Sequence, residues 1–304
     1  MIMHWLIRLL PRNKQLVIFR ELGDSVPRWG YGYAPHTGMA KVIDTWRASY
    51  SNRIQEFIKV RDKIALIEFE GANAGEQEPF WNNSYFSGLD AVSLYGMLAT
   101  LNPKQYVEVG SGNSTKFARR AIRDNDLKTQ ITSIDPTPRA SIDNLCDKVF
   151  RQTLQEIDQS LFESLNAGDI LFIDGSHRVS MSSDVTVFFT ELLPKLKPGV
   201  IIHLHDIFLP SDYPSRWRDR YYGEQYLLGT ILLINPNYLN IIFPVQYIST
   251  DPQLSLLLEP LWNMPSMKGV SRGGGSFWFE KNNEHHEAIT NNLDDDATGS
   301  NSIK

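Results

Sequence analysis

Three short segments hold the side chains best able to do chemistry. Val107–Thr115 (VEVGSGNST) sets Glu108 in an apolar run ending at Gly110, then offers Ser111, Gly112 and Ser114. Asp169–His177 (DILFIDGSH) ends an apolar run on Asp174 and reaches His177 one Gly-Ser turn later. In Val200–Phe208 (VIIHLHDIF), period-2 alternation puts His203 and His205 on one strand face, with Asp206 at the tip. A histidine with a pKa near ~6.5 takes a proton from a hydroxyl at physiological pH. Carboxylates beside it can orient ring and hydroxyl, or hold a divalent ion that acidifies the hydroxyl. The chemistry on offer is activation of an alcohol as a nucleophile.

The glycine turn points to a bound cofactor. Gly110 and Gly112 let backbone approach a ligand, and Asn113 or Ser114 can cap the helix that follows. A dinucleotide site needs a third glycine where this chain has Thr115, which argues against a nicotinamide dehydrogenase. An acid inside the preceding strand repels a pyrophosphate and welcomes a cationic amino-acid moiety. Buried there, Glu108 also needs a cationic or hydrogen-bond-donating partner.

The turn resembles motif I of class I S-adenosylmethionine-dependent methyltransferases, whose first strand carries an acid followed by G-x-G. Ile131–Pro136 (ITSIDP) agrees, ending in Asp135 where that family keeps an acid for the ribose hydroxyls. With FWNNSYFSGLDA (Phe80–Ala91), DYPSRW (Asp212–Trp217) and GEQYLL (Gly223–Leu228), the chain is similar to a family of bacterial class I methyltransferases over roughly residues 78 to 280. The resemblance implies S-adenosyl-L-methionine as cofactor. It places Glu108, Gly110 and Ser111 toward the amino-acid end, Asp135 at the ribose, and Pro136 with Gln155–Glu156 near the adenine, with Gly112 and Ser114 also cofactor-binding. Asp174 adjoins that site. More distant relatives include metal-dependent sugar and small-molecule O-methyltransferases, which bind a divalent ion through an Asp after the fourth strand and an acidic pair after the fifth. Asp174 and His177 match their D-x-x-H spacing, and Asp206 matches the second acid. His205 replaces the first, so the implied metal set is Asp174, His205 and Asp206, less suited to Mg²⁺ than an all-oxygen shell. The implied catalytic set is His177 as base with Asp174 and Asp206.

The elements that must position these residues alternate. Strands are predicted at Tyr106–Gly110, Ile131–Asp135, Ile170–Asp174, Val200–His205, Ile241–Phe243 and Ser276–Glu280, with helices at Leu89–Leu101, Ser114–Arg123, near Ser182–Leu196 and at Glu224–Ile234. Such alternation argues an α/β fold, a Rossmann-like doubly wound, mostly parallel sheet. Apolar positions between Met39 and Phe69 suit one or two amphipathic helices, and Gly71–Pro79 is rich in breakers. The predicted organisation is an N-terminal helical extension over 1–73, a cofactor-binding domain over 74–281 and a disordered polar tail over 282–304.

The 304 residues carry 30 Lys+Arg against 35 Asp+Glu, a balance with no global attraction for nucleic acid. Cys146 is the lone cysteine, so no internal disulfide forms and a reducing compartment, the cytoplasm, is expected. The apolar start MIMHWLIRLLPR is too short to span a bilayer, so no stable membrane insertion is expected. Aromatic residues (Trp81, Tyr85, Phe86, Phe208, Tyr213, Trp217, Tyr221, Tyr222) crowd segments expected near the site and suit a flat or sugar-like acceptor. Expected partners are therefore a small-molecule or glycan acceptor, with homo-oligomerisation left open. Two other readings stand beside methylation: a partner subunit that binds cofactor without catalysis, and a non-methylating, hydroxylase-like relative on the same scaffold.

Overall fold

The computed structural model describes residues 26–71, 75–86 and 88–282. Seven strands, β1 (Gln105–Val109), β2 (Gln130–Ile134), β3 (Lys148–Phe150), β4 (Ile170–Ile173), β5 (Ile201–Leu204), β6 (Leu239–Pro244) and β7 (Phe277–Lys281), form one sheet in the order β3-β2-β1-β4-β5-β7-β6. All neighbours pair in parallel except around β7, which runs antiparallel to β5 and β6. Strands β4 and β5 are buried at every position, as sheet centres covered on both faces require. The expected strands are all present. The edge strand β3 was not foreseen, because three residues are too few to show a period.

Register is what makes a site. Val109 pairs with Ile134 and Ile173, and Ile173 with Leu204. The strands therefore end level, and the residues just past them, Gly110, Asp135, Asp174 and His205–Asp206, reach one edge of the sheet. Ligands of open α/β sheets bind at that edge.

Helices α1 (Thr37–Asp44), α2 (Arg47–Lys59), α3 (Gly88–Leu101), α4 (Asn113–Asp124), α5 (Asp184–Val187) and α6 (Glu224–Ile234) flank the sheet, followed by the short α7 (Val245–Thr250) and α8 (Pro252–Leu256). The single helix expected over Ser182–Leu196 begins at Asp184, capped by Ser183, and widens into a π turn over Phe188–Leu192. Helix α3 is buried continuously from Gly88 to Leu98, so its apolar residues face protein all round.

The helices before the breaker loop share the sheet's core. Ile43, Tyr50, Ile54 and Phe57 are fully buried within it. Arg47 grips Asp251, ahead of α8, by two nitrogens at 2.7 and 2.8 Å. At the end of the breaker loop, Glu78 pairs with Arg120 and Arg123 of α4. The apolar start before residue 26 and the tail after Asn282 lie outside the described residues. No described helix is long and apolar enough to cross a membrane.

Candidate active site

At the first end of the site the glycine turn does what its sequence demands. Gly110 adopts φ +83°, and a Cβ there would sit 2.0 Å from the carbonyl oxygen of Asp174. Only glycine allows β1 and β4 to meet so closely. The next amide, Ser111 N–H, donates to Oδ2 of Asp135 at 2.8 Å, and Thr137 N–H donates to Oδ1 at 2.8 Å. Both oxygens of Asp135 are thus oriented by backbone while the residue stays partly exposed. A Cβ on Gly112 would meet no atom within 4 Å, so space is open beside the turn.

Glu108 is fully buried, and its partners are hydroxyls. Thr115 donates to Oε1, and Tyr106 and Ser114 donate to Oε2 at 3.1 and 3.2 Å. Burial pushes the carboxyl up to about 7, opposed by those donors. The hydrogen-bond-donating partner, rather than the cationic one, is the one built into the protein.

The second end is an alternation of acids and imidazoles. His177 and Asp206 both have φ +58°, a left-handed conformation that few side chains adopt and that the surroundings must enforce. Nε2 of His177 lies 3.1 Å from Asp174 Oδ1 and 3.6 Å from Asp206 Oδ2. Its Nδ1 lies 2.9 Å from Oε2 of Glu224. Nδ1 of His205 lies 3.3 Å from Asp174 and 3.5 Å from Asp206, and its Nε2 lies 3.3 Å from Asp90. Asp90 also accepts from Gly275 N–H and Ser276 N–H at 3.0 and 2.7 Å, anchoring the approach to β7.

These contacts set the charges. Burial alone would lower the pKa of His177, but Asp174 and Glu224 outweigh it and raise it well above 6.5. His205 is raised in the same way, against its burial, by Asp174 and Asp206. Asp174 is held well below the usual carboxylate range, its burial overcome by the two imidazoles. Burial pushes Asp206 and Glu224 up. His203 is different: buried, 2.7 Å from Ser276 Oγ and stacked 3.8 Å on Trp278, it is held neutral as a core histidine.

A cavity of about 610 Å³ joins the two ends, within the usual range for small-molecule sites. Gly110, Ser111 and Asp135 line it at one end, and Asp174, His177, His205 and Asp206 at the other. Glu108, Gly112, Ser114 and Glu156 do not line it. Glu156 accepts from the backbone and hydroxyl of Thr153, capping its own turn, while Leu154 and Gln155 face the cavity. Tyr85, Trp217 and Tyr222 supply its aromatic wall, whereas Trp81 and Phe86 belong to the core.

Asp174, His177 and Asp206 offer three ligand atoms within 4.8 Å of one another. The expected nitrogen, Nδ1 of His205, lies 3.3 and 3.5 Å from the same two acids. Two oxygens and a nitrogen suit a transition-metal ion better than Mg²⁺. Sequence reasoning missed Asp90 and Glu224. Each is an acid in the first turn of an apolar helix, where the helix dipole gives it an ordinary explanation.

Residues 107–207 match a family described as a methyltransferase domain. The match takes in the glycine turn, Asp135, Asp174, His177 and Asp206. No curated protein matches the chain. Similar solved structures include an O-methyltransferase from Bacillus cereus with SAH bound, 14% identical over 76% of this chain and 90% of that one, TM-score 0.34. The methyltransferase PaMTH1 of Podospora anserina, also with SAH, is 14% identical over 86% and 99%, TM-score 0.37. The plantazolicin methyltransferase BpumL, with a monoazolic desmethylPZN analog and SAH, is 14% identical over 81% and 96%, TM-score 0.39.

Proposed function

We propose that this chain, a class I S-adenosylmethionine-dependent methyltransferase, methylates a hydroxyl oxygen of a small-molecule or glycan acceptor with His177 as general base. The observation that carries the reading is one cavity with two specialised ends. A backbone-oriented Asp135 beside a glycine turn suits the ribose of an adenosyl group, with Ser111 and the open side of the turn beside it. His177, Asp174 and Asp206 converge at the far end.

S-adenosylmethionine supplies a methyl group on a positively charged sulfur, which leaves as a neutral thioether. The acceptor's O–H proton passes to Nε2 of His177 as the new O–C bond forms. Asp174 stabilises the resulting imidazolium across 3.1 Å. With no cation beside them, Asp174 and Glu224 favour a protonated ring. The positively charged sulfur of S-adenosylmethionine, brought to that end, would counter those carboxylates and favour the proton-accepting form of Nε2. Tyr222, with its ring 4.5 Å from that of His177, helps to shut water out.

A second reading uses the same three side chains to hold a divalent cation. It is favoured by one observation: four acidic side chains (Asp90, Asp174, Asp206, Glu224) crowd two imidazoles at this end, a setting that a cation would relieve. Such an ion would acidify the acceptor hydroxyl, and His177 would then be its nitrogen ligand. Incubation with methyl-labelled S-adenosylmethionine and a panel of sugars, glycans and phenolic alcohols, with and without chelator, tests both readings. Label should appear as an alkali-stable ether. Label on nitrogen or sulfur would contradict the oxygen assignment, and chelator-resistant transfer would remove the metal.

A further inference from the structure

We infer that Glu224 is a positioning residue, which fixes His177 with a proton on Nδ1 and so presents Nε2 to the cavity as the reactive nitrogen. Its catalytic consequence rests on the methyl-transfer reading above. The placement of the proton does not.

Glu224 is fully buried, and Oε2 lies 2.9 Å from Nδ1 of His177. The two residues are also joined through backbone: Gly223 N–H and Glu224 N–H donate to the carbonyl oxygen of His177 at 2.8 and 3.3 Å. The N-terminus of α6 is therefore docked on the residue whose left-handed backbone aims the imidazole. An imidazole that gives up one proton keeps the other where the better acceptor lies. Glu224 holds Nδ1 at 2.9 Å on the buried side, closer than Asp174 at 3.1 Å or Asp206 at 3.6 Å holds Nε2, which leaves Nε2 to exchange protons on the cavity side.

The second oxygen separates this role from simple packing. Oε1 of Glu224 is buried with no hydrogen-bond partner among the described residues. A carboxylate kept for structure alone is normally satisfied on both oxygens, and an unsatisfied one asks for a functional reason. Here the cost of burying the group is offset chiefly by His177. The same logic holds if His177 ligates a cation, because ligating histidines donate their other N–H to a carboxylate.

The test is long-range ¹H–¹⁵N correlation NMR on the full chain with ring-¹⁵N histidine, His177 being assigned by its loss in His177→Asn. Spectra are compared for wild type, Glu224→Met and Glu224→Gln, with SAH binding as the check on folding. Met fills the space and removes the acceptor, whereas the Gln carbonyl can still accept from Nδ1–H. At a pH where the ring has lost one proton, wild type and Glu224→Gln should keep the remaining His177 proton on Nδ1. Glu224→Met should move it to Nε2 or spread it over both nitrogens, and should cost about 10–100-fold in turnover with little change in KM for S-adenosylmethionine. If Glu224→Met does not fold, Glu224→Ala replaces it with the same expected spectrum. An unchanged His177 spectrum in the folded Met or Ala variant overturns the role. Changed spectra in a protein that transfers no methyl group would leave the positioning intact and refute the methyltransferase reading instead.

Discussion

The two ends of the cavity handle carboxylates in opposite ways. At the glycine turn, Glu108 and Asp135 are satisfied by hydroxyls and backbone amides. At the ends of β4 and β5, Asp174, Asp206, Glu224 and Asp90 are met by imidazoles, on backbone held in the left-handed region at His177 and Asp206. Neutral dipoles fix a shape without changing charge as a ligand arrives. Acids alternating with imidazoles supply the acid–base groups that a proton transfer needs. The first arrangement suits binding and the second suits chemistry, and substitutions should separate them.

The largest effect is expected where the ends touch. Gly110→Ala drives a Cβ into the carbonyl oxygen of Asp174 and forces a side chain into positive φ. It should cost roughly 3–5 kcal/mol in urea unfolding, the sum of backbone strain and overpacking, and it should disable both ends together. An activity loss at one end only would mean the contact is not shared.

His177→Ala should break only the chemical end. Losing a general base costs about 10²–10⁴-fold in rate, while affinity for SAH should stay within twofold of wild type. Turnover near wild type once an acceptor is found would remove His177 as base.

Glu108 probes the quiet end through pH. An acid whose pKa rises from 4.5 to about 7 on folding binds more protons in the native state between those values. Its stabilising contribution is therefore full below 4.5 and lost as pH climbs through 7, a difference of about 3 kcal/mol. Glu108→Gln cannot ionise. Relative to wild type it should gain stability between pH 5 and pH 8, measured as the difference in Tm. Parallel Tm profiles would show that the hydroxyl cage already tolerates the charge.

Legibility followed sequence distance. The turn end came from contiguous residues and one strand end, because Gly110, Ser111 and Asp135 obey the local rules of a βα turn. Asp174, His177 and Asp206 were legible because parallel strands deliver their final residues to one edge. Glu224 sits 47 residues from His177, and Asp90 sits 115 residues from His205. Nothing in either helix says which strand end it will meet, so both acids read as ordinary first-turn residues. Exposure was also hidden. Trp81 and Phe86 fall in an aromatic cluster that sequence assigns to the site, yet they pack beneath it against Phe117.

The cofactor's place at the glycine-turn end is the central claim to test. Calorimetric titration with SAH should show one-to-one binding by wild type, unchanged in His177→Ala. Asp135→Ala should weaken it by ~1.5–3 kcal/mol, the range for hydrogen bonds to a charged group, or about 10–150-fold. NAD titrated into wild type should give no heat. Undiminished SAH affinity in Asp135→Ala, or tight NAD binding by wild type, would contradict the assignment of the glycine-turn end.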